Sequence, residues 1–407
     1  MFGFLYTHSF VYFVITSAIT YFVLELFLVY PPNNHPVLIW TSAIVPDYPR
    51  LISCFNNEYK CLISRNNSQN NVSAYLFYGS HMDNNVFPLP RNEEIWTLFH
   101  EESPRNYAPI LYSETQNLFN ITATFSRNSD FPLTLQYLPN VTILTDAQYF
   151  VNTNTKNKLL ADLAPILYLQ SDCDTPIGRD NVVKQLMKHI DIDSYGACLH
   201  NKDFPSEISK VNSLDLYNEE LLKFIARYKF VIAFENAECK DYITEKLWRP
   251  LIAGSVPIYW GSPTVEDWLP TNNSVILLNN FESIESLAAY IKQVNNNDTL
   301  YNLFLTHKLQ NTVQNINLKA HLGDADEYNS IADFECFICK RIHNGFNQTP
   351  KERVYDCLPP RDPSWNGHWN VGKCQAKALI HLIKANRKFS NETYEKLWHN
   401  FYETDNC

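Results

Sequence analysis

The chain has 407 residues, enough for two domains of ordinary size plus an extension. Hydrophobic residues make up 45% of it and aromatics 14%, which supports a large core and excludes a mainly disordered chain. Its net charge is −10 and it has no basic run, which excludes nucleic acid as a partner, because phosphate affinity needs clustered Lys and Arg.

After a short tail (1–8), residues 9–30 read SFVYFVITSAITYFVLELFLVY, an apolar run long enough to span a bilayer. Glu25 is its only charge, close to the distal end. A cleaved signal peptide would have a shorter apolar region and a small-residue cleavage site. Neither is present, so a signal-anchor transmembrane helix is expected, with the rest of the chain lumenal. No Lys or Arg precedes the segment, so charge does not set its orientation.

Lumenal placement has two further supports. Asn-x-Ser/Thr acceptor sites occur at Asn66, Asn71, Asn140, Asn272, Asn297, Asn347 and Asn391, and at Asn120, which is expected to be buried. Ten cysteines suit an oxidising compartment. The terminal TDNC is not a KDEL-type retrieval signal, so the endoplasmic reticulum and the Golgi both stay open.

Residues 31–157 read as a first α/β domain. HPVLIW (35–40) and AYLFYG (74–79) are expected strands. Cys54 and Cys61 flank a polar loop between them and could close a short disulfide. IWTLFHEESPRN (95–106) reads as a buried strand running into an acidic loop. FNITATFSRNSDFPL (119–133) reads as alternating strand residues and a turn, and 152–157 as a polar linker.

A second α/β domain is expected over 158–328. LAPILYLQSDCDTPIGRDNVVKQLMKHI reads as a strand, a loop ending at Arg179, and a helix. From Tyr228 to Pro263 the pattern is an apolar strand (Phe230 to Phe234), a polar turn FENAECKDY, a helix opening near TEK and stopping at Gly254, and a strand (Val256 to Trp260). That is one βαβ unit of a parallel sheet. Ligands of such sheets sit outside the carboxyl ends of the strands, which gathers Asn236, Tyr242, Glu245 and Lys246 around one pocket.

The chemistry of that pocket fits a sugar nucleotide. A helix N-terminus favours an anion such as a diphosphate, to the extent of roughly 0.3–1 kcal/mol. A cation aimed at charge that develops in a transition state contributes about 2.7–4 kcal/mol, so Lys246 matters more than the dipole. Glu245 beside a phosphate makes sense as an acceptor of hydrogen bonds from ribose hydroxyls. Pro250 lies inside the helix and removes a backbone donor, so a late start or a kink is expected.

Two metal readings arise from spacing. Asp172-Cys173-Asp174 and Asp191-Ile192-Asp193 have the form that holds a divalent ion, although such triplets arise readily among 43 acidic residues. In the Cys-rich extension (329–407), Cys336-x-x-Cys339, Cys357, Cys374, Cys407 and His343 lack the second close pair of a zinc ribbon. Disulfides involving Cys54, Cys61, Cys336, Cys339, Cys357 and Cys374 are expected instead.

FENAECKDYITEKLW followed by AGSVPIYWGSP resembles the signature of the α1,3-fucosyltransferases, glycosyltransferase family 10. The resemblance runs from about Val37 to Cys374. It implies a GT-B fold, two Rossmann-like domains facing a cleft, with the acceptor on the first and GDP-fucose on the second. It also implies inversion at the anomeric carbon, with Arg179, Asn236, Tyr242, Glu245 and Lys246 on the donor and no metal or other cofactor.

The HEESP element resembles the family's Glu-Ser-Pro and points to Glu102 as general base, with His100 as a backup. FNITATFSRNSD departs from the family, with Ser126 for an arginine and Asn128 for an aspartate. The tail ECFICKRIHN with WNGHWNVGKC resembles a divergent branch linked to O-fucosylation of Ser/Thr in EMI-type modules. Expected partners are therefore GDP-fucose, a secretory-pathway glycoprotein and a membrane. Fucosylation of GlcNAc on N-glycans or Lewis-type glycans is the alternative within enzymes. A catalytically silent glycoprotein-binding or folding-helper protein is the alternative outside them.

Overall fold

The computed structural model describes residues 35–346 and 355–407, apart from 67, 70, 92, 207, 209–216 and 323–329. The anchor expected over 9–30 lies outside the described residues. No helix among the described residues is long and apolar enough to cross a membrane.

Two separate sheets carry the fold. The first contains β1 (Val37–Trp40), β2 (Arg50–Cys54), β3 (Tyr59–Ser64), β4 (Val72–Tyr78), β5 (Ile95–His100), β6 (Ile121–Thr124) and β7 (Phe131–Pro132). Their order is β2-β3-β1-β4-β5-β6-β7, parallel except for the β2–β3 hairpin. β1, β5 and β6 are buried along their whole length. Parallel strands covered on both faces read as continuous apolar runs, so the alternation expected for 121–124 is absent.

The second sheet contains β8 (Ile166–Tyr168), β9 (Ile192–Ser194), β10 (Phe230–Phe234), β11 (Val256–Trp260) and β12 (Ile276–Leu277). It is parallel throughout, in the order β12-β11-β10-β8-β9. Its principal helices are α1 (Thr153–Leu159), α2 (Arg179–Leu186), α3 (Glu219–Ile225), α4 (Glu245–Ala253) and α5 (Ile284–Asn295). Val183, Leu287 and Ile291 cover one face of the sheet, packed on Phe230, Ile232 and Ile258. Leu222, Leu247 and Leu251 cover the other, against Ala233 and Tyr259.

The stretch expected to be a linker is instead the start of α1, where the Asn152 side chain accepts the Thr155 N–H and caps the first turn. Lys156 points inward, fully buried, and its ammonium donates to the carbonyls of Tyr228 and Gly254 at 2.8 and 2.7 Å.

The extension does not form a body of its own. Its helices α6 (Ser330–His343), α7 (His368–Lys384) and α8 (Asn391–Glu403) close both faces of the first sheet. Phe334 and Ile338 of α6 join Leu38, Trp40 and Leu76 on one face. Ala378 and Leu379 of α7 and Tyr394 of α8 join Val37, Phe77 and Trp96 on the other. Gly372 of α7 lies so close to the 108–111 segment that a Cβ there would fall 2.6 Å from Ala108 Cβ.

Cys54 and Cys61 do not bond to each other, because each is paired with a cysteine of α6. The disulfides are Cys54–Cys336 and Cys61–Cys339. A Cys-x-x-Cys on one helical turn thus staples α6 across the β2–β3 hairpin. Next to the first staple, Glu335 is fully buried and accepts from Trp40 Nε1 at 2.8 Å and from the Arg50 guanidinium at 2.6 Å. The other disulfides are Cys173–Cys198, Cys239–Cys357 and Cys374–Cys407.

Asn66, Asn71, Asn272, Asn297 and Asn391 are exposed, whereas Asn140 is half-buried and Asn347 lies outside the described residues. Asn120 is half-buried, and its side-chain carbonyl accepts the Trp96 N–H at 2.9 Å, completing the sheet beside β5.

Candidate active site

β10 and β11 end side by side at Phe234 and Trp260, and the segment 235–244 leaves β10 for α4. Far from a solvated polar turn, this segment is buried at Glu235, Asn236, Glu238, Cys239, Asp241, Tyr242 and Thr244. Buried carboxylates need partners, and each has them. Glu235 accepts the Thr244 N–H at 2.8 Å and its hydroxyl at 2.7 Å. Glu238 accepts from Trp260 Nε1 at 3.0 Å and from the Arg361 guanidinium. Asp241 stands at φ 64°, in the left-handed region that aspartate tolerates, and accepts from Arg127 Nε, Thr264 Oγ1 and Trp268 Nε1.

α4 begins at Glu245 with Thr244 as its N-cap, so no late start accommodates Pro250, and the helix runs through it to Gly254 at φ 73°. Lys246 Nζ lies 2.9 Å from Glu245 Oε1, 3.1 Å from Thr244 Oγ1 and 3.9 Å from Glu235 Oε2. Burial alone would lower the ammonium's pKa, but Glu245 and Glu235 outweigh it and raise the value. Against the upward push of burial, Lys246 and Arg249 hold the Glu245 carboxyl at about 2. Burial pushes Glu235 up to about 7, with Lys246 offsetting part of the effect. A pocket of about 280 Å³ opens beside these groups, lined by Gln170, Ser171, Asp172, Glu245, Lys246 and Arg249 among others.

Arg179 opens α2 directly after Gly178, which takes the left-handed φ of 66°. It is 1% exposed, and its guanidinium donates to the carbonyls of Phe234 at 3.0 Å and Asp172 at 2.7 Å. Its charge is felt at Lys246. Arg179 therefore ties the end of β10 to the loop after β8, with its Nε unpartnered. Asn236 is buried with its Oδ1 unpartnered.

Glu102 comes from the first sheet, two residues beyond the end of β5. The Tyr242 hydroxyl donates to its Oε2 at 3.0 Å, so the 235–244 segment of the second half touches the loop of the first. Glu101 is held separately by the Tyr78 hydroxyl at 2.7 Å, and burial raises its pKa. His100 is fully buried near the rings of Tyr107 and Tyr355, and burial pushes it down to about 3. At 0% exposure its ring offers no surface to an acceptor hydroxyl, which argues against its service as the backup base. The Tyr137 phenol, raised by burial, also senses Glu245, Glu102, Glu101 and Glu235, which places these carboxylates around one neighbourhood.

Glu235, Tyr137 and Arg249 were not among the residues the sequence pointed to. An acid immediately after an apolar strand of a parallel sheet is a usable signal for Glu235. Tyr137 carries none, since it sits in an irregular stretch.

Three of the four aspartates in the two Asp-x-Asp triplets have partners of their own, and the fourth, Asp191, is exposed. Asp172 pairs with Arg105 at 2.9 Å and Asp174 accepts from Trp365 Nε1 at 2.6 Å, with Cys173 in a disulfide between them. Asp193 accepts from Lys202 at 2.8 Å and the Tyr228 hydroxyl at 2.9 Å. Among the described residues, the groups close enough to share an ion are Cys61, Cys339 and His343, and Cys173, Asp180 and Cys198. In both, the two sulfurs are bonded to each other.

Residues 155–358 match the family described as glycosyltransferase family 10 (fucosyltransferase), C-terminal, and residues 32–137 match fucosyltransferase, N-terminal. A Xenopus laevis protein named GDP-fucose protein O-fucosyltransferase 3 is 39% identical over 403 residues, covering 91% of this chain and 86% of its own. A Drosophila melanogaster protein named Alpha-(1,3)-fucosyltransferase B is 40% identical over 403 residues, covering 92% of this chain and 90% of its own. A crystal structure of an α1,3-fucosyltransferase with GDP aligns at 16% identity and a TM-score of 0.47, over 79% of this chain and 95% of its own. The chain is a glycosyltransferase and belongs to family 10, the fucosyltransferases.

Proposed function

We propose that the protein transfers L-fucose from GDP-β-L-fucose to a Ser or Thr hydroxyl of a folded, disulfide-bonded module of EMI type, with inversion at the anomeric carbon. The observation that carries this reading is the Tyr242–Glu102 hydrogen bond at 3.0 Å, which links a carboxylate of the first half to the segment flanking Lys246. The acceptor hydroxyl oxygen attacks fucose C1 and gives its proton to Glu102, while the bond from C1 to the diphosphate oxygen breaks and its electrons leave with GDP. A positioned general base contributes about 10²–10⁴ in rate. Lys246 faces the departing diphosphate, and Glu245, held ionised, accepts from ribose hydroxyls. Asn236 supplies an unpaired carbonyl to the nucleotide. Arg179 acts by holding the pocket walls together and by its positive charge. The scheme requires no metal or other cofactor.

The choice of a protein acceptor rests on the name of the Xenopus laevis relative and on the uncharged Ser126 and Asn128 beside the cleft. The name of the Drosophila relative favours a second reading, α1,3-transfer to GlcNAc. Residues 9–30 would anchor the enzyme in the membrane of the endoplasmic reticulum or Golgi, single-pass and type II, with the sheets in the lumen. The test is to give the protein labelled GDP-fucose with an EMI-type module and, separately, a GlcNAc-terminated glycan, and to locate the label by mass spectrometry. Label on module Ser or Thr is the expected result, and label on GlcNAc alone would reverse the assignment.

A further inference from the structure

One recess beside the cleft is left unused by this scheme. β5 and β6 run parallel with His100 beside Thr124, so the loop carrying Glu101 and Glu102 emerges next to the loop that begins at Phe125. The Phe125 ring lies 5.1 Å from Tyr242, the residue that holds Glu102, and 4.9 Å from Tyr355. Beside this ring cluster is a narrow recess with room for little more than one water-sized group. Gln116, Thr122, Thr124, Ser126, Asn128 and Ser129 line it together with Tyr355, which the C-terminal extension delivers.

Its chemistry is unusual for the surround of a catalytic carboxylate. Every lining residue is neutral and every one can hydrogen-bond. Most of that capacity is already committed within the wall. Thr124 and Ser129 share a bond of 2.5 Å between their hydroxyls, Ser126 Oγ accepts the Asn128 N–H at 3.3 Å, and Gln116 Nε2 donates to the Ile110 carbonyl at 2.8 Å. Tyr355 is the exception. It is 7% exposed, and its hydroxyl makes no well-formed hydrogen bond, having beside it only the Thr124 hydroxyl, which is already shared with Ser129. Burial raises its pKa far above the ordinary phenol, so it keeps its proton and donates. A buried donor left unpaired costs free energy, which a bound group returns on forming the bond.

We propose that this recess is an acceptor subsite in which the Tyr355 hydroxyl donates to an uncharged oxygen, of an amide or a hydroxyl, on the molecule receiving fucose. The recess is too narrow for a sugar ring, and the absence of any cation or carboxylate in its wall selects against charged groups. The inference rests on the transferase reading above and adds to it a specificity determinant, supplied by the extension rather than by either sheet.

The test uses the full-length protein, GDP-fucose and whichever acceptor, EMI-type module or glycan, the unaltered protein labels. Two variants are compared, Tyr355→Phe, which removes the donor and keeps the ring, and Ser126→Arg, which fills the recess with a charge. The expected result for Tyr355→Phe is an acceptor KM raised about three- to tenfold, as for loss of one buried hydrogen bond. Ser126→Arg raises it further, and in both variants the dissociation constant of GDP-fucose stays within about twofold. An unchanged acceptor KM in both variants would mean that the recess holds a water only, and would overturn the proposal. A parallel loss of donor affinity would assign Tyr355 a packing role and overturn it equally. Should the unaltered protein label neither acceptor, the transferase reading fails first, and separately.

Discussion

Arg127 of the first half grips Asp241 of the second, with its Nε 2.9 Å from both carboxylate oxygens and its backbone N–H 3.1 Å from Oδ2. The guanidinium also lies over the Trp268 ring at 4.5 Å and meets Asp267 at 2.8 Å. Burial alone would raise the Asp241 pKa, yet Arg127 and Thr264 bring it below the ordinary aspartate value. Removing one partner of such a pair leaves the other charge buried and uncompensated. Arg127→Ala is therefore expected to cost about 2–4 kcal/mol, less than a fully buried pair because the arginine is a third exposed. Chemical denaturation measures that loss, and a rise in the KM for GDP-fucose should accompany it, since Asp241 adjoins Tyr242.

Glu102 and Tyr242 separate in kinetics. Glu102→Gln keeps the shape of the side chain and removes the base, so kcat should fall about 10²–10⁴-fold while GDP-fucose binding persists. Tyr242→Phe should cost less, about tenfold in kcat, because the base survives and only its orientation is lost. A Glu102→Gln protein that turns over at the unaltered rate would remove the residue from the mechanism.

Glu235 makes a prediction about pH and stability. Its folded value is raised from 4.5 to about 7, so between these values the folded state holds a proton that the unfolded chain has released. Stability from this group is present in full below pH 4.5 and is lost as pH rises to about 7. In Glu235→Gln the proton is replaced by a permanent amide. The melting temperature of the unaltered protein, relative to that variant without ligand, should therefore decline from pH 5 to pH 8. A difference that grows with pH would contradict the assignment.

Much of the second half was legible because its information is local. Apolar runs at 230–234 and 256–260, a helix opened by Thr244 and stopped by Gly254, and charged residues at the helix start define that unit within 31 residues of chain. Glu102, Asn236, Tyr242, Glu245 and Lys246 follow from it, or from a short motif, and the structure brings Tyr242 onto Glu102. What local pattern does not carry is pairing across the chain. Cys54 and Cys61 are seven residues apart in sequence, yet their partners lie 282 and 278 residues away. The same holds for the burial of FENAECKDY, whose acids look solvated until Arg127 and Arg361 arrive from distant segments. A continuous apolar run also hides which face of a strand meets which helix, and so the extension's place on the first sheet was not visible.

The extension should contribute to donor binding as well. Residues 356–358 run antiparallel to the 235–244 segment, with the Lys240 N–H donated to the Asp356 carbonyl at 2.8 Å, the Leu358 N–H to the Glu238 carbonyl at 2.8 Å, and Cys239 joined to Cys357. Arg361 completes the clamp by pairing with Glu238 and lying over the Trp260 ring at 5.6 Å. Glu238 is 3% exposed in its side chain, so without Arg361 its charge would rest on Trp260 Nε1 alone. Arg361→Ala should cost about 1–2 kcal/mol of stability, a modest figure because the arginine is half-exposed. Its larger effect should be on the donor, whose KM rises several-fold as Asn236 and Tyr242 lose their fixed backbone, while Arg361→Lys recovers part of the loss. Equal KM values for GDP-fucose in all three proteins would show that the disulfide alone holds the segment.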